Sequence, residues 1–192
     1  CNDELTLEGL FDGSKQGDSI VRYIFSLLGV KTTFIEAKDG KPSAMRLKST
    51  GHSVARLEYD FISCPDLAQT IVAACVAKKV PFRFTGLQTL KIKETDRIEA
   101  LKTEMCKLGY LLEDRNGAEL IWDGSMCEPS AANPLDVAVD TYEDHRMALA
   151  FAPLAFARNY IRINDPQVVT KSYPHFWRDL SSVGFEIISE ER

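Results

Sequence analysis

The stretch LKTEMCKLGYLLED (Leu101–Asp114) carries an amphipathic pattern into a glycine and passes at once into a short apolar run. Ile98, Leu101, Met105 and Leu108 recur at helical spacing, and Gly109 stops the pattern as a helix-ending glycine does. The same punctuation occurs in RYIFSLLGVKTTFIE (Arg22–Glu36) and WRDLSSVGFEIISE (Trp177–Glu190). The three glycines, Gly29, Gly109 and Gly184, stand 80 and 75 residues apart. One helix–glycine–strand connection is common, but three at near-constant spacing imply an internal repeat.

A second pair of segments keeps the same step. SCPDLAQTIVAACVAKKVPFRF (Ser63–Phe84) and TYEDHRMALAFAPLAFARNYIRI (Thr141–Ile163) each read as an alanine-rich helix followed by a strand. Apolar residues run nearly all round these helices, which places them in the middle of a domain. Each opens with a capping-box-like pattern, Ser63-x-x-Asp66 and Thr141-x-x-Asp144, with the acids 78 residues apart. The middle copy predicts strand 54–62, helix 65–78, strand 81–88, helix 95–108 and strands 110–113 and 118–122. The third copy repeats this from about 136 and stops before its last strand. The first begins near the LFDGSKQGD turn, without an opening strand and helix. The expected architecture is one α/β (α+β) domain over 1–192, a three-fold repeat of βαβαββ units at about 5–53, 54–123 and 135–192. GSMCEPSAANP (124–134) is a loop between copies.

Composition narrows the function. Hydrophobic residues at 45% and charged residues at 27% describe an ordinary globular chain. A net charge of −5 argues against a general nucleic-acid or membrane surface, so any anion site must be a local basic cluster. The five cysteines form no C-x-x-C pair and the three histidines show no metal-ligand spacing, which points to a reduced, cytoplasmic setting without structural zinc. Cys75 and Cys106 fall in apolar helical patterns. No signal peptide or membrane-length apolar run is visible, and a start at Cys1 rather than Met suggests a fragment.

The basic residues collect at helix starts. Lys93 and Arg97 flank the start of the 95–108 helix in KETDR, His145 and Arg146 lie in the first turn of another, and Lys171 precedes the helix that Pro174 opens. A helix N-terminus carries partial positive charge, so cations there break a local rule, a mark of functional sites. Around a pseudo-threefold axis the three helix starts share one end of the domain, where they suit phosphate and carboxylate. Asp66 and Glu94 share the neighbourhood and can serve as caps or as general base and acid. Walker, G-x-G-x-x-G and Ser/His/Asp patterns are absent.

LKIKETDRIEAL, YEDHRMALAFA, CPDLAQT and DPQVVTKSYPHFW closely resemble the C-terminal half of the EPSP synthase (3-phosphoshikimate 1-carboxyvinyltransferase) family, along nearly the whole chain. The resemblance implies an enolpyruvyl transferase-like inside-out α/β barrel domain, one of two in the enzyme. It implies transfer of the enolpyruvyl group of phosphoenolpyruvate to the 5-hydroxyl of shikimate 3-phosphate, with release of phosphate and no cofactor or metal. It makes Asp66 the proton acceptor and a holder of shikimate phosphate, and Glu94 the proton donor. Lys93 and Thr89 fall at shikimate-phosphate positions, the latter often asparagine. Arg97, Arg146 and Lys171 fall where phosphoenolpyruvate is gripped, with His145 a near neighbour.

Two other readings fit part of the pattern. One is the related transferase acting on UDP-N-acetylglucosamine, which shares the repeats but not the KETDR and DHRMA pair. The other is a non-catalytic anion-binding domain. Under the first resemblance the partners are the two substrates and an absent N-terminal domain, and the chain alone is expected to fold but to lack transferase activity.

Overall fold

Gly29, Gly109 and Gly184 end their helices with φ of +84°, +94° and +105°, the left-handed region that glycine enters without a Cβ penalty. Behind the second and third, Tyr110 N–H donates to the Met105 carbonyl at 2.9 Å and Phe185 N–H to Leu180 at 3.3 Å, which closes the helix and redirects the chain. At Gly29 a Cβ would stand 2.2 Å from the carbonyl oxygen of His52, so no other residue fits. The computed structural model describes residues 4–189 apart from Ser14, Asp39, Ala132, Pro134 and Leu135. Cys1 and part of the 124–134 loop therefore lie outside the described residues.

The middle repeat is complete. It runs β4 (Leu57–Asp60), α2 (Ala68–Ala77), β5 (Phe82–Thr85), α3 (Arg97–Lys107), β6 (Glu113–Arg115) and β7 (Glu119–Trp122), with sheet order β4-β5-β7-β6. β4 and β5 pair in parallel, and β7 pairs antiparallel with both β5 and β6. The first repeat is β1 (Glu4–Glu8), α1 (Val21–Leu27), β2 (Val30–Ile35) and β3 (Ala44–Ser49), ordered β1-β3-β2 and antiparallel throughout. It matches β5, α3, β6 and β7. The first copy thus starts with a strand upstream of the LFDGSKQGD turn, earlier than its sequence pattern shows.

The third repeat supplies β8 (Ala138–Val139), α4 (His145–Phe151), α5 (Ala155–Arg158), β9 (Arg162–Ile163) and α6 (Phe176–Ser182), with β8 and β9 parallel. Phe185–Ser189, expected as a strand after Gly184, forms no ladder among the described residues, and a strand without a neighbour has no bonds to make. β6 begins at Glu113 rather than at 110, because Tyr110 and Leu111 pair instead with Met126 and Ser125.

The core explains the layering. α2 buries Ala68, Gln69, Ile71, Val72, Ala73, Cys75 and Val76, so it is covered nearly all round. Phe82 and Phe84 of β5, Leu101 and Met105 of α3, Leu120 and Trp122 of β7, and Met147 and Phe151 of α4 join it in one cluster. A second, small cluster of Ala148, Ala152, Val169 and Phe176 seats the 3-10 turn Pro166–Lys171 against α4.

The glycine geometry separates two substitutions. Gly124 also has positive φ (+100°) but open space around it. Gly124→Ala should cost only the left-handed penalty, about 1–2 kcal/mol. Gly29→Ala adds a backbone collision and should cost roughly 3 kcal/mol or more. Urea midpoints of the two variants measure the difference, which equal losses would contradict.

Candidate functional site at the joined helix starts

Arg97 is the first residue of α3, yet its side chain is only 2% exposed. Asp96 caps the helix by accepting from the N–H groups of Ile98 and Glu99, both at 3.1 Å, which leaves the Arg97 guanidinium to turn inward. Its Nε donates to Asp144 Oδ2 at 2.6 Å, Nη1 to Asp66 Oδ1 at 2.8 Å, and Nη2 to Glu94 Oε2 at 2.7 Å. A further bond from Nη2 to Asp144 Oδ1 measures 3.3 Å. One cation therefore gathers three carboxylates from two repeats.

The carboxylates extend the network outward. Asp66 Oδ1 also meets Lys93 Nζ at 3.2 Å, and its Oδ2 accepts from Arg146 Nη2 at 3.3 Å. Arg146 Nη1 donates to the Asp66 main-chain carbonyl at 3.1 Å. Glu94 Oε1 lies 3.9 Å from Lys171 Nζ, whose side chain is 68% exposed. Asp144, fully buried, caps α4 by accepting from Arg146 N–H at 2.9 Å. Arg97 and Asp144 thus form a buried base, while Lys93, Glu94, Asp66, Arg146 and Lys171 form a layer within reach of solvent.

The structure brings together Asp66, Lys93, Glu94, Arg97, Arg146 and Lys171, with His145 beside them on α4. Thr89 lies exposed in the 3-10 turn Gln88–Ile92 and makes no hydrogen bond to the cluster. Two sequence expectations need correction. Lys171 ends the 3-10 turn Pro166–Lys171 and lies five residues before α6, so the turn's packing on α4 places it rather than a helix start. Asp66 caps nothing: its counterpart in the third repeat is Arg146, because Cys64 and Asp144 occupy the equivalent N-cap positions. The cations at the helix starts are compensated first by the protein's own acids.

Burial raises the Asp66 pKa, but Arg146, Lys93 and Arg97 together more than reverse this, holding the carboxyl below its ordinary value and ionised at neutral pH. Burial lowers the His145 pKa, and the repulsion of Arg146 and Arg97 offsets much of the upward pull of Asp144 and Glu94, so the value stays below the ordinary one and the ring is neutral at pH 7. Its Nδ1 is buried without a hydrogen-bond partner, 4.0 Å from Asp144 Oδ1.

A second clamp escaped sequence reasoning. Glu104, fully buried on α3, accepts from Tyr142 Oη at 2.6 Å and from Asp140 N–H at 3.1 Å, and pairs with Lys107 at 2.8 Å. These bonds grip the turn before α4, where Tyr142 and Glu143 both take left-handed backbone (φ +54° and +57°). Such strain persists only where surrounding contacts enforce it. The signal was a glutamate on the otherwise apolar face of Leu101, Met105 and Leu108.

The EPSP synthase (3-phosphoshikimate 1-carboxyvinyltransferase) family model matches residues 1–180. The chain belongs to the EPSP synthase family. A 3-phosphoshikimate 1-carboxyvinyltransferase of Bacteroides fragilis is 54% identical over 192 residues, which cover 100% of this chain and 44% of that protein. One from Burkholderia multivorans is 32% identical over 176 residues, covering 90% and 38%. The chain spans under half the length of these relatives. An EPSP synthase structure from Acinetobacter baumannii matches with a TM-score of 0.69 at 16% identity, over 97% of this chain and 43% of that one. A second from that organism gives 0.64 at 14% identity. The fold is the inside-out α/β fold of the enolpyruvyl transferases.

Two outcomes test the site's electrostatics. Asp144→Ala removes the main partner of a buried cation together with a helix cap, and should destabilise by about 3–5 kcal/mol. Glu94→Gln, in the solvent-reaching layer, should cost less than about 1 kcal/mol. In acid, Asp66 and His145 act with the same sign, since both pKa values are depressed. His145 stabilises fully above its unfolded pKa of 6.5 and loses that contribution as pH falls through its lower folded value. Asp66 does the same below its unfolded 3.8. Urea midpoints against pH should fall in both windows, and Asp66→Asn should flatten only the lower one.

Proposed function

We propose that this chain is one domain of an enolpyruvyl transferase that moves the enolpyruvyl group of phosphoenolpyruvate onto the 5-hydroxyl of shikimate 3-phosphate. Family membership supports the reaction class. The observation that carries the reading is that Asp66 and Glu94 are both held by Arg97 and each also touches cations of the outer layer. Two carboxylates and three accessible cations, Lys93, Arg146 and Lys171, then face the same solvent, as a reaction between two anionic substrates requires.

In the proposed chemistry the 5-hydroxyl oxygen bonds to C2 of phosphoenolpyruvate while its proton passes to Asp66. The methylene carbon takes a proton delivered by Glu94, giving a tetrahedral adduct. Loss of a proton from the new methyl group and departure of phosphate from C2 restore the double bond and yield the enol ether. Cations around Asp66 keep it ionised, the form that accepts a proton. Lys93 is assigned to the shikimate phosphate together with Thr89, which stands apart from the network. Arg97, Arg146 and Lys171 are assigned to phosphoenolpyruvate, with His145 packed beside them. Arg97 is assigned to the anion through its remaining Nη1 hydrogen, and its buried position makes Arg97→Ala a test of folding as much as of binding.

The absent length of the relatives is proposed to form a second domain, across whose cleft the substrates lie, in a cytosolic enzyme. Among the described residues no helix is long and apolar enough to cross a membrane. An open face leaves anion contacts in high dielectric, weak and salt-sensitive, and supplies half the positioning groups.

The test is a phosphate-release assay with both substrates. The 192-residue chain alone should show no turnover, and adding the separately expressed remainder should restore it. In the complete enzyme Glu94→Gln should lower kcat by ~10²–10⁴ with little change in substrate binding. Arg146→Ala should mainly raise the phosphoenolpyruvate requirement, by roughly 10–100-fold. Normal turnover by Glu94→Gln would remove Glu94 from the chemistry.

A further inference from the structure

Away from the charged cluster, at the opposite end of α3, two sulfurs are brought together. Cys106 lies in the last turn of α3 and Cys127 in the segment after β7, and their Sγ atoms are 3.1 Å apart. The Cys127 sulfur is also 3.5 Å from the Cys106 carbonyl oxygen. The backbone around them builds this approach. Cys127 N–H donates to the Gly109 carbonyl at 3.0 Å, Ser130 N–H to Lys107 at 3.2 Å, and Leu111 N–H to Ser125 at 3.1 Å. Three bonds thus hold the 125–130 segment against the helix end on both sides of Cys127.

The other described cysteines differ. Cys64 and Cys75 are buried in the core, and burial pushes the Cys75 thiol up to about 12. Cys106 and Cys127 are both part-exposed, and Cys106 opens onto a surface groove between Lys102, Lys107 and Glu128. A disulfide sets its sulfurs about 2.05 Å apart, so closing this one takes about 1 Å of movement. Burial and the neighbouring Cys106 push the Cys127 thiol up to about 11, as expected where one sulfur disfavours charge on the next.

We propose that Cys106 and Cys127 form a redox-active dithiol, a modification site for small disulfide oxidants of the glutathione disulfide class. One cysteine, as thiolate, attacks a sulfur of the oxidant and expels one glutathione thiolate, leaving a mixed disulfide. The second cysteine, as thiolate, attacks the protein-side sulfur of that bond and expels the second glutathione. The products are the Cys106–Cys127 disulfide and two reduced glutathiones, which carry the two protons and two electrons the protein gave up. The bond closes a loop around the β6–β7 hairpin and staples it to α3. The bond rests on no assignment of the enolpyruvyl transferase chemistry.

Treating the 192-residue chain with stepped ratios of oxidised to reduced glutathione, then alkylating and mapping peptides by mass, reads the site directly. The expected product is one cross-linked pair, Cys106 with Cys127, lighter by two hydrogen atoms and reversed by dithiothreitol. Its Tm should rise by roughly 5–10 °C over the reduced form. Cys127→Ser should stop at a glutathione adduct on Cys106. Three results would overturn the proposal: both thiols alkylated at every ratio, a cross-link that joins other cysteines, or an adduct on Cys106 that persists in the native sequence.

Discussion

A guanidinium buried to 2% exposure at the first turn of a helix cannot stand alone. Removing a cation from water costs several kcal/mol even after relaxation, and here the N-terminal helix dipole opposes it too. Arg97 is tolerated because Asp144, Asp66 and Glu94 approach it from three directions, taking up its Nε and both terminal nitrogens. Two of those acids belong to the middle repeat and one to the third, so the arginine is also the joint between them. Everything that places Asp144 then matters: its role as the α4 cap, the left-handed pair Tyr142–Glu143 before it, and the Glu104 clamp seven residues along α3 from Arg97.

This arrangement divides the site by depth. Arg97 and Asp144 are sealed in low dielectric, where their geometry is fixed and each is costly to remove. Lys93, Asp66, Glu94, Arg146 and Lys171 sit in the outer layer, where ion pairs are weak enough to be exchanged for a ligand. A rigid buried pair beneath an exchangeable ring of charge suits a site that must bind anions and still move protons. Asp66 is held ionised and oriented by shared cations, which reduces the reorganisation left for the proposed reaction.

Much of the architecture was legible because it is written in punctuation. Gly29, Gly109 and Gly184 mark helix ends through a backbone conformation that other residues resist, and alanine-rich α2 and α4 announce burial through composition. What escaped depends on long-range partners. β1 exists because β3 offers it an edge, and Phe185–Ser189 has strand character without a ladder among the described residues. Asp66 and Asp144 look equivalent by spacing, but the fold aligns helix starts, which pairs Asp66 with Arg146 and turns two repeat positions into an ion pair. The residues of the charged cluster were visible as an oddity at helix starts. That acids of the chain itself would neutralise them was not, since sequence shows a charge but not its depth.

The Arg97–Asp144 pair joins the middle and third repeats beneath the charged layer. A double-mutant cycle measured by urea unfolding tests this joint most directly, using Arg97→Met, Asp144→Leu and the double variant. Each single change leaves one buried charge uncompensated and should cost about 3–5 kcal/mol, while the apolar pair should cost markedly less than the two losses added, a coupling of more than about 2 kcal/mol. Additive losses, with coupling below about 0.5 kcal/mol, would mean that the two residues do not act as a joint between the repeats.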